Sequence, residues 1–422
     1  MTSSSSRRSR SLSVPEGEKT FGVWLHGTFV GVLRQRGDHT RFIVHESYAE
    51  NPERPVLGLV FEQDLTRVHA AALRLPPWFS NLLPEGVQRR WIAEQRRVSD
   101  QREMELLAEV GRDLPGAVTV LPIPSGVLDD TDVVPPQTPH APETQVDGEQ
   151  GRFSLAGVQL KLSMVAAGDR LVLPLGGALG DWIVKFPDTG ISHLPVVEHA
   201  TMDLAARAGL RVPELRLVDR EQLPGTPDVL WRAGETKAYA IRRFDRAPDR
   251  SVVHIEDLAQ VRDVWPSQKY EGRYEVVAAL VHRGYDVESL HELVRRITFS
   301  LMVDNSDLHL KNLSLIYEDP RRPVLSPAYD LVSVAPYPGF GGETALSLAG
   351  KRQADAVRLD DLGGLGRHLG VAASDLVGTA EQTVRAVVAR WPEVEQSLLA
   401  RHPDIRAPMH DMIQRRLASL LS

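Results

Sequence analysis

The composition of this chain breaks once, and the break decides how much of it can pack together. From Leu128 to Gln150 the sequence turns to Asp, Pro, Thr and Glu with few apolar side chains. Such a stretch reads as a linker or surface excursion, over 126–150, and not as packed structure. With 422 residues, the chain has room for two or three domains around it. Before the break, Phe21-Gly22-Val23-Trp24-Leu25, Phe29-Val30-Gly31-Val32-Leu33 and Arg41-Phe42-Ile43-Val44 predict strands interrupted by Gly and Asp. Residues 78–111 predict helix, with Trp78, Leu82, Leu83, Val87, Trp91 and Ile92 on a helix-like period. Together they make a small α+β domain over 19–125. Residues 1–18 are rich in Ser and Arg and lack the apolar region of a secretory signal. They predict a disordered basic tail; an arm that touches nucleic acid or a partner is the sharper alternative.

After the break, Leu160, Leu162 and Met164 alternate with Lys161 and Ser163. A Gly168-Asp169 turn then leads into Leu171-Val172-Leu173, a β-hairpin signal. Residues 182–187 predict another strand. Pro195 opens a helix with Val197, Thr201, Leu204, Ala205 and Ala208 on one face, closed by Gly209. Ala238 to Phe244 predicts a further strand. Residues 151–247 thus form a small lobe, a sheet with one helix on it. Beyond 254 the chain predicts mostly helix, including 289–303 and several helices from 356 to 422, so that 248–422 is a large helical lobe.

Several function classes fall away on composition. The chain has no cysteine, which removes disulfides, thiolate zinc sites and a cysteine nucleophile. A net charge of -7 argues against a whole-surface polyanion binder, though a local patch remains open. No run of about 18 apolar residues is present, so no membrane span is expected and the chain is placed in the cytoplasm. No H-E-x-x-H, His cluster, G-x-S-x-G elbow or helix-turn-helix signature is found.

What remains is phosphate chemistry. Asp307-Leu308-His309-Leu310-Lys311-Asn312 sets an acid and an amide five positions apart, with a His and a Lys between them. An acid just past the apolar run 299–303 can accept a hydroxyl proton from a substrate, and an amide oxygen is a hard ligand suited to magnesium. The competing reading is a solvated turn, which Asp and Asn favour. His309 can order the loop and Lys311 can meet a transferring phosphate. Asp330, in Ser326-Pro327-Ala328-Tyr329-Asp330, is a second magnesium ligand or a turn acid. Lys185, in Trp182-Ile183-Val184-Lys185-Phe186-Pro187, faces away from Trp182, Val184 and Phe186. A lysine there is costly unless paired, and Glu198 is the candidate partner. Base, metal pair and phosphate-pairing lysine are what a kinase needs. The segment from Arg152 to Lys161 sits where a phosphate-cradling loop belongs, but it is neither Walker A nor G-x-G-x-x-G. By chemistry alone, Ser154 within it reads as a local hydrogen-bonder rather than a phosphorylation site.

Taken together, these segments resemble the HipA family of serine/threonine kinases, the toxin halves of bacterial toxin–antitoxin pairs. In the first domain the likeness rests on Val23-Trp24-Leu25-His26-Gly27, Glu46-Ser47-Tyr48, Asn81-Leu82-Leu83-Pro84-Glu85-Gly86 and the segment Gly111 to Val118. Later it rests on Ser154 to Lys161, Ile183 to Pro187, Arg243-Phe244-Asp245-Arg246, Asn305 to Asn312 and Ala328-Tyr329-Asp330-Leu331. The resemblance implies an α+β, two-lobed protein-kinase-like fold preceded by the small α+β domain. It implies that Asp307 is the catalytic base, that Asn312 and Asp330 hold Mg2+, and that Lys185 contacts the ATP phosphates. The loop Ala156, Gly157, Val158, Gln159, Leu160 and Lys161 would cover the nucleotide. Arg242, Arg243 and Phe244 would form the hinge against adenine, with His309, Lys311 and Tyr329 also at the nucleotide. Ser154 becomes the autophosphorylation site that shuts the enzyme off, reversing the reading from chemistry alone. One departure is Leu160, where relatives commonly carry Glu. The implied protein substrate is an aminoacyl-tRNA synthetase. The implied partner is a small helix-turn-helix antitoxin, through which operator DNA is bound. A catalytically inactive co-repressor scaffold and a small-molecule phosphotransferase are the alternatives; the complete acid set weighs against the first and the N-terminal domain against the second.

Overall fold

The computed structural model describes residues 17–123, 160–174, 179–188, 190–231 and 234–421. Ser154, Ala156, Gly157, Val158 and Gln159, the tail 1–16 and the expected linker lie outside the described residues.

The N-terminal strands are β1 (Glu18–Leu25), β2 (Thr28–Arg36), β3 (His39–Val44), β4 (His69–Ala72) and β5 (Val118–Ile123). They form one antiparallel sheet in the order β4-β3-β2-β1-β5. Period-2 alternation turns Phe21, Val23 and Leu25 onto a core that includes Trp78, Phe79, Leu82 and Leu83. The helix expected over 78–111 is broken into Pro77–Ser80, Gly86–Arg96 and Glu103–Val110. Pro84 cannot continue a helix, and Arg97 (φ 55°) adopts the left-handed backbone that ends the second one.

The small lobe holds β6 (Lys161–Ala167), β7 (Arg170–Val172), β8 (Trp182–Lys185), β9 (Leu215–Asp219) and β10 (Lys237–Arg242), ordered β7-β6-β8-β10-β9. Trp182, Val184 and Phe186 share one face with Leu162, Met164, Ala238 and Ala240, as the alternation requires. The helix Leu194–Arg207 packs on β9 and β10, with Pro195 in its first turn. Its inner residues Val197, Ala200 and Leu204 continue into one apolar core with Leu293, Ile297 and Val387 of the large lobe.

In the large lobe, the main helices are Tyr274–His282, Val287–Val303, Ala373–Ser397 and Pro403–Leu420. Helix Val287–Val303 begins where the Asp286 side chain accepts from Ser289 N at 2.9 Å, and ends where Asp304 turns left-handed (φ 55°). Strands also occur here that the helical expectation misses. β11 (His254–Asp257), β12 (Ser314–Asp319) and β13 (Arg322–Leu325) form a three-stranded sheet, and β14 (Glu343–Leu348) pairs with β15 (Lys351–Gln353). β11 is four residues long and half acidic, so its strand character comes from its partner β12 and not from propensity.

β11 is also the seam with the N-terminal domain. Glu256 is buried and accepts hydrogen bonds from Leu59 N (3.0 Å), Trp78 Nε1 (3.2 Å) and the Tyr317 hydroxyl. Burial pushes its carboxyl up to about 7, against those donors. Nearby, Gly116 N donates to Asp245 Oδ2 at 2.9 Å. A Cβ at Gly116 (φ 75°) would lie 2.7 Å from Ile255 N, so only glycine allows this approach.

Candidate active site

β8 delivers Lys185 to the cleft between the lobes. Its ammonium donates to Glu198 Oε1, on helix Leu194–Arg207, and to Asp330 Oδ1. The partner expected from the sequence is therefore the one found, with a second acid added. Burial opposes the charge on Lys185, but the two carboxylates hold its pKa above the ordinary value. Burial likewise pushes Asp330 up, yet Lys185 and then Lys161 bring it well below the usual carboxylate range. Glu198 is raised, first by burial and further by Asp330, with Lys185 opposing. Lys161 is the cross-strand neighbour of Lys185 and is also buried; burial brings it down to about 8. Asp330 sits in left-handed backbone (φ 53°), uncommon for any residue with a side chain and often found at functional sites.

The large lobe supplies Asp307, on the turn after helix Val287–Val303. Asn312 Nδ2 donates to the Asp307 carbonyl at 2.8 Å and closes the loop between them. The amide oxygen, Asn312 Oδ1, accepts no hydrogen bond among the described residues. Asp330 Oδ2 has none either. Two hard oxygens fit magnesium, which takes one or two protein ligands and fills its shell with phosphate and water. Among the described residues no group of three or more His, Cys, Asp or Glu side chains gathers as a self-sufficient metal cage. Asp307 itself keeps 44% of its side chain exposed, so an incoming hydroxyl can reach it.

His309 and Lys311 lie deeper. His309 is buried, with Nε2 3.7 Å from Asp307 Oδ1, and burial lowers its pKa. Lys311, expected to meet a phosphate, is instead held from behind. It donates to the Asn81 carbonyl at 3.0 Å and pairs with Glu85 at 2.8 Å. Glu85 also takes Lys269 at 2.9 Å. Burial would raise Glu85, but the two ammonium groups bring it down to about 2. Asp257, 3.9 Å from Lys311, is pushed by burial up to about 6.

At the hinge, Phe244 lies against Tyr329 with ring centroids 5.4 Å apart, and the Tyr329 hydroxyl donates to the Lys311 carbonyl at 2.9 Å. Arg242 is half-buried at the cleft edge, 3.8 Å from Glu214. Arg243 reaches the cleft with its backbone and not its side chain. Its guanidinium turns away into a buried cluster with Asp245 (2.6 Å), Asp113 (3.4 Å) and Ser163 (3.3 Å), which Arg246 joins. Only its backbone can border a nucleotide. Leu160 is half-buried at the entrance to β6.

The structure thus brings Lys161, Lys185, Phe244, Asp307, His309, Lys311, Asn312, Tyr329 and Asp330 to one cleft. Sequence reasoning missed Asn81, Glu85, Asp257, Lys269 and Tyr270, which line or brace it. Asn81 and Glu85 belong to a segment quoted for its family likeness, but nothing local ties it to a site more than 200 residues on.

Two family models cover most of the chain, the HipA N-terminal domain over residues 21–121 and the HipA-like C-terminal domain over 153–391. "Putative kinase Y4dM" of Sinorhizobium fredii is 39% identical over 385 residues, 89% of this chain and 92% of that protein. The serine/threonine-protein kinase toxin HipA of Shewanella oneidensis is 26% identical, covering 74% of this chain and 76% of the relative. A solved Shewanella oneidensis structure, of HipA with HipB and operator DNA, has a TM-score of 0.69 at 22% identity, covering 95% of this chain and 96% of that one. That match gives the same α+β, kinase-like fold. By model, relative and fold, the chain belongs to the HipA family of kinases.

Proposed function

We propose that this protein is an ATP- and magnesium-dependent serine/threonine-protein kinase, the toxin of a toxin–antitoxin pair, that phosphorylates an aminoacyl-tRNA synthetase and silences itself by autophosphorylation. The observation that carries the kinase reading is the chain Glu198–Lys185–Asp330 across the lobes, opening onto an accessible Asp307. ATP would lie with its adenine between the lobes near Phe244 and its phosphates toward Lys185 and Lys161. Bound magnesium would neutralise the phosphate charge, with Asn312 Oδ1 and Asp330 as its protein ligands. Lys185 would then exchange part of its contact with Asp330 for phosphate oxygens, and Glu198 would keep it in place. Asp307 would take the proton of the attacking hydroxyl. Lys311 is committed to Glu85 and would stiffen the loop from beneath.

The antitoxin and operator DNA are proposed from the Shewanella complex, whose components are HipA, HipB and operator DNA. A phosphoryl group on Ser154, two positions before Ala156 in the sequence, would add negative charge that opposes ATP. Incubation with magnesium and labelled ATP should label Ser154 and, from a synthetase panel, one member. Neither label forming, with no nucleotide bound, would sink the kinase reading. Self-labelling without a labelled synthetase would leave the kinase and remove the substrate.

A further inference from the structure

Asp307 does not offer both carboxylate oxygens to the cleft. Tyr270 follows the short helix Pro266–Gln268, and its hydroxyl donates to Asp307 Oδ1 at 2.5 Å. Three contacts hold that residue in place. Its ring stands edge-on to His309, with centroids 4.9 Å apart. The Lys269 ammonium, anchored by Glu85, lies 5.6 Å from the ring centre. The Tyr270 carbonyl accepts from Arg352 at 3.0 Å. Yet 42% of Tyr270 is exposed, so it stands at the mouth of the cleft, where a substrate must enter.

We propose that Tyr270 is a positioning residue for phosphoryl transfer, holding Asp307 by Oδ1 so that Oδ2 faces the incoming hydroxyl. This rests on the kinase reading above. Rotation about the Cβ–Cγ bond of an aspartate is broad, so an untethered carboxylate samples many orientations. A hydrogen bond from a phenol to an ionised carboxylate is about twice as strong as a neutral one, enough to select among them. Oδ1 is occupied by Tyr270 and faced by His309, whereas Oδ2 has no partner among the described residues. In the step itself, the substrate oxygen forms its bond to the γ-phosphorus as the bond to the ADP oxygen breaks. The hydroxyl proton passes to Oδ2. Tyr270 keeps its own proton throughout, and burial together with the bond to Asp307 raises its pKa and keeps it neutral.

Tyr270→Phe deletes the hydroxyl and keeps the ring on His309. The rate of self-labelling at saturating magnesium-ATP should fall about 10- to 100-fold, the cost of a misplaced reacting group. The ATP concentration giving half the maximal rate should stay within about twofold, since Tyr270 orients the base and not the nucleotide. Tyr270→Leu, lacking ring and hydroxyl, should lose at least as much. A Phe variant with the wild-type rate overturns the proposal. So does one whose rate loss comes with an equal loss of ATP affinity or an early melt, because the hydroxyl would then serve the fold. If the wild type itself transfers no phosphate, the kinase reading fails and takes this with it; an active wild type with an unaffected Phe variant removes this inference alone.

Discussion

Lys185 and Lys311 reach the same cleft from opposite lobes, and both are buried against two partners. Their partners differ in kind. Lys185 is shared by Glu198 and Asp330, and Asp330 is also one of two oxygen donors suited to a metal. Any cation at Asp330, or phosphate at Lys185, competes for charges that already satisfy each other. That end of the cleft is assembled to be rearranged. Lys311 is held by the Asn81 carbonyl and by Glu85, both from the N-terminal domain and neither a candidate metal ligand or base. That end is a strut. Similar ion pairs therefore do different work, decided by whether a partner has a second obligation.

The contrast can be broken at several points. Asp307→Gln should lower phosphate transfer by about 10²- to 10⁴-fold, as loss of a general base does, while the melting temperature holds because the side chain is only half-buried and an amide oxygen can still accept from Tyr270. A variant that stays active would show that the base is misassigned. Lys185→Met should abolish ATP binding and cost about 3 kcal/mol of stability, because Glu198 is left buried without its cation; chemical denaturation reads this, and an unchanged midpoint would mean the triad is not coupled. Glu85→Gln should act at the strut. The folded Glu85 titrates at about 2, below its ordinary value of 4.5. Its contribution, on the order of 3 kcal/mol, is present above pH 4.5 and is lost as the pH falls toward 2. Wild-type stability should fall over that window, and the Gln variant should show a flatter acid limb and a lower plateau at neutral pH. ATP affinity should change far less than in Lys185→Met; an equal loss would erase the distinction between the two ends. Smallest of all, Arg207→Ala breaks the exposed pairs with Asp203, at 2.6 Å, and Glu393, at 2.9 Å, and should leave the melting temperature indistinguishable from wild type.

Legibility in the sequence followed the range of the forces involved. Strands β1, β2, β3, β6 and β8 and the helix after Pro195 were readable because alternation, turns and caps are local. The pairing of Lys185 with Glu198 was readable too, since a lysine among apolar strand residues demands an acid and the next helix offers one. Asp307, Asn312 and Asp330 announced themselves by residue type and order. Glu85 did not, because its partner lies 226 positions away and only the packing of one domain on another brings them together. Where the Arg243 side chain turns was not legible, because Asp113, which helps draw it into the buried cluster, lies 130 positions away. β11 escaped because its partner, not its own residues, makes it a strand. Tyr270 gave no signal beyond being an aromatic in a turn.

The left-handed backbone at position 330 carries a consequence for heredity. Among coded residues, Gly and Asn accept that conformation most readily. Each is one nucleotide from an aspartate codon, and each deletes the charge that faces Lys185. On the proposed kinase reading, a version lacking this carboxylate is thus a single base change away.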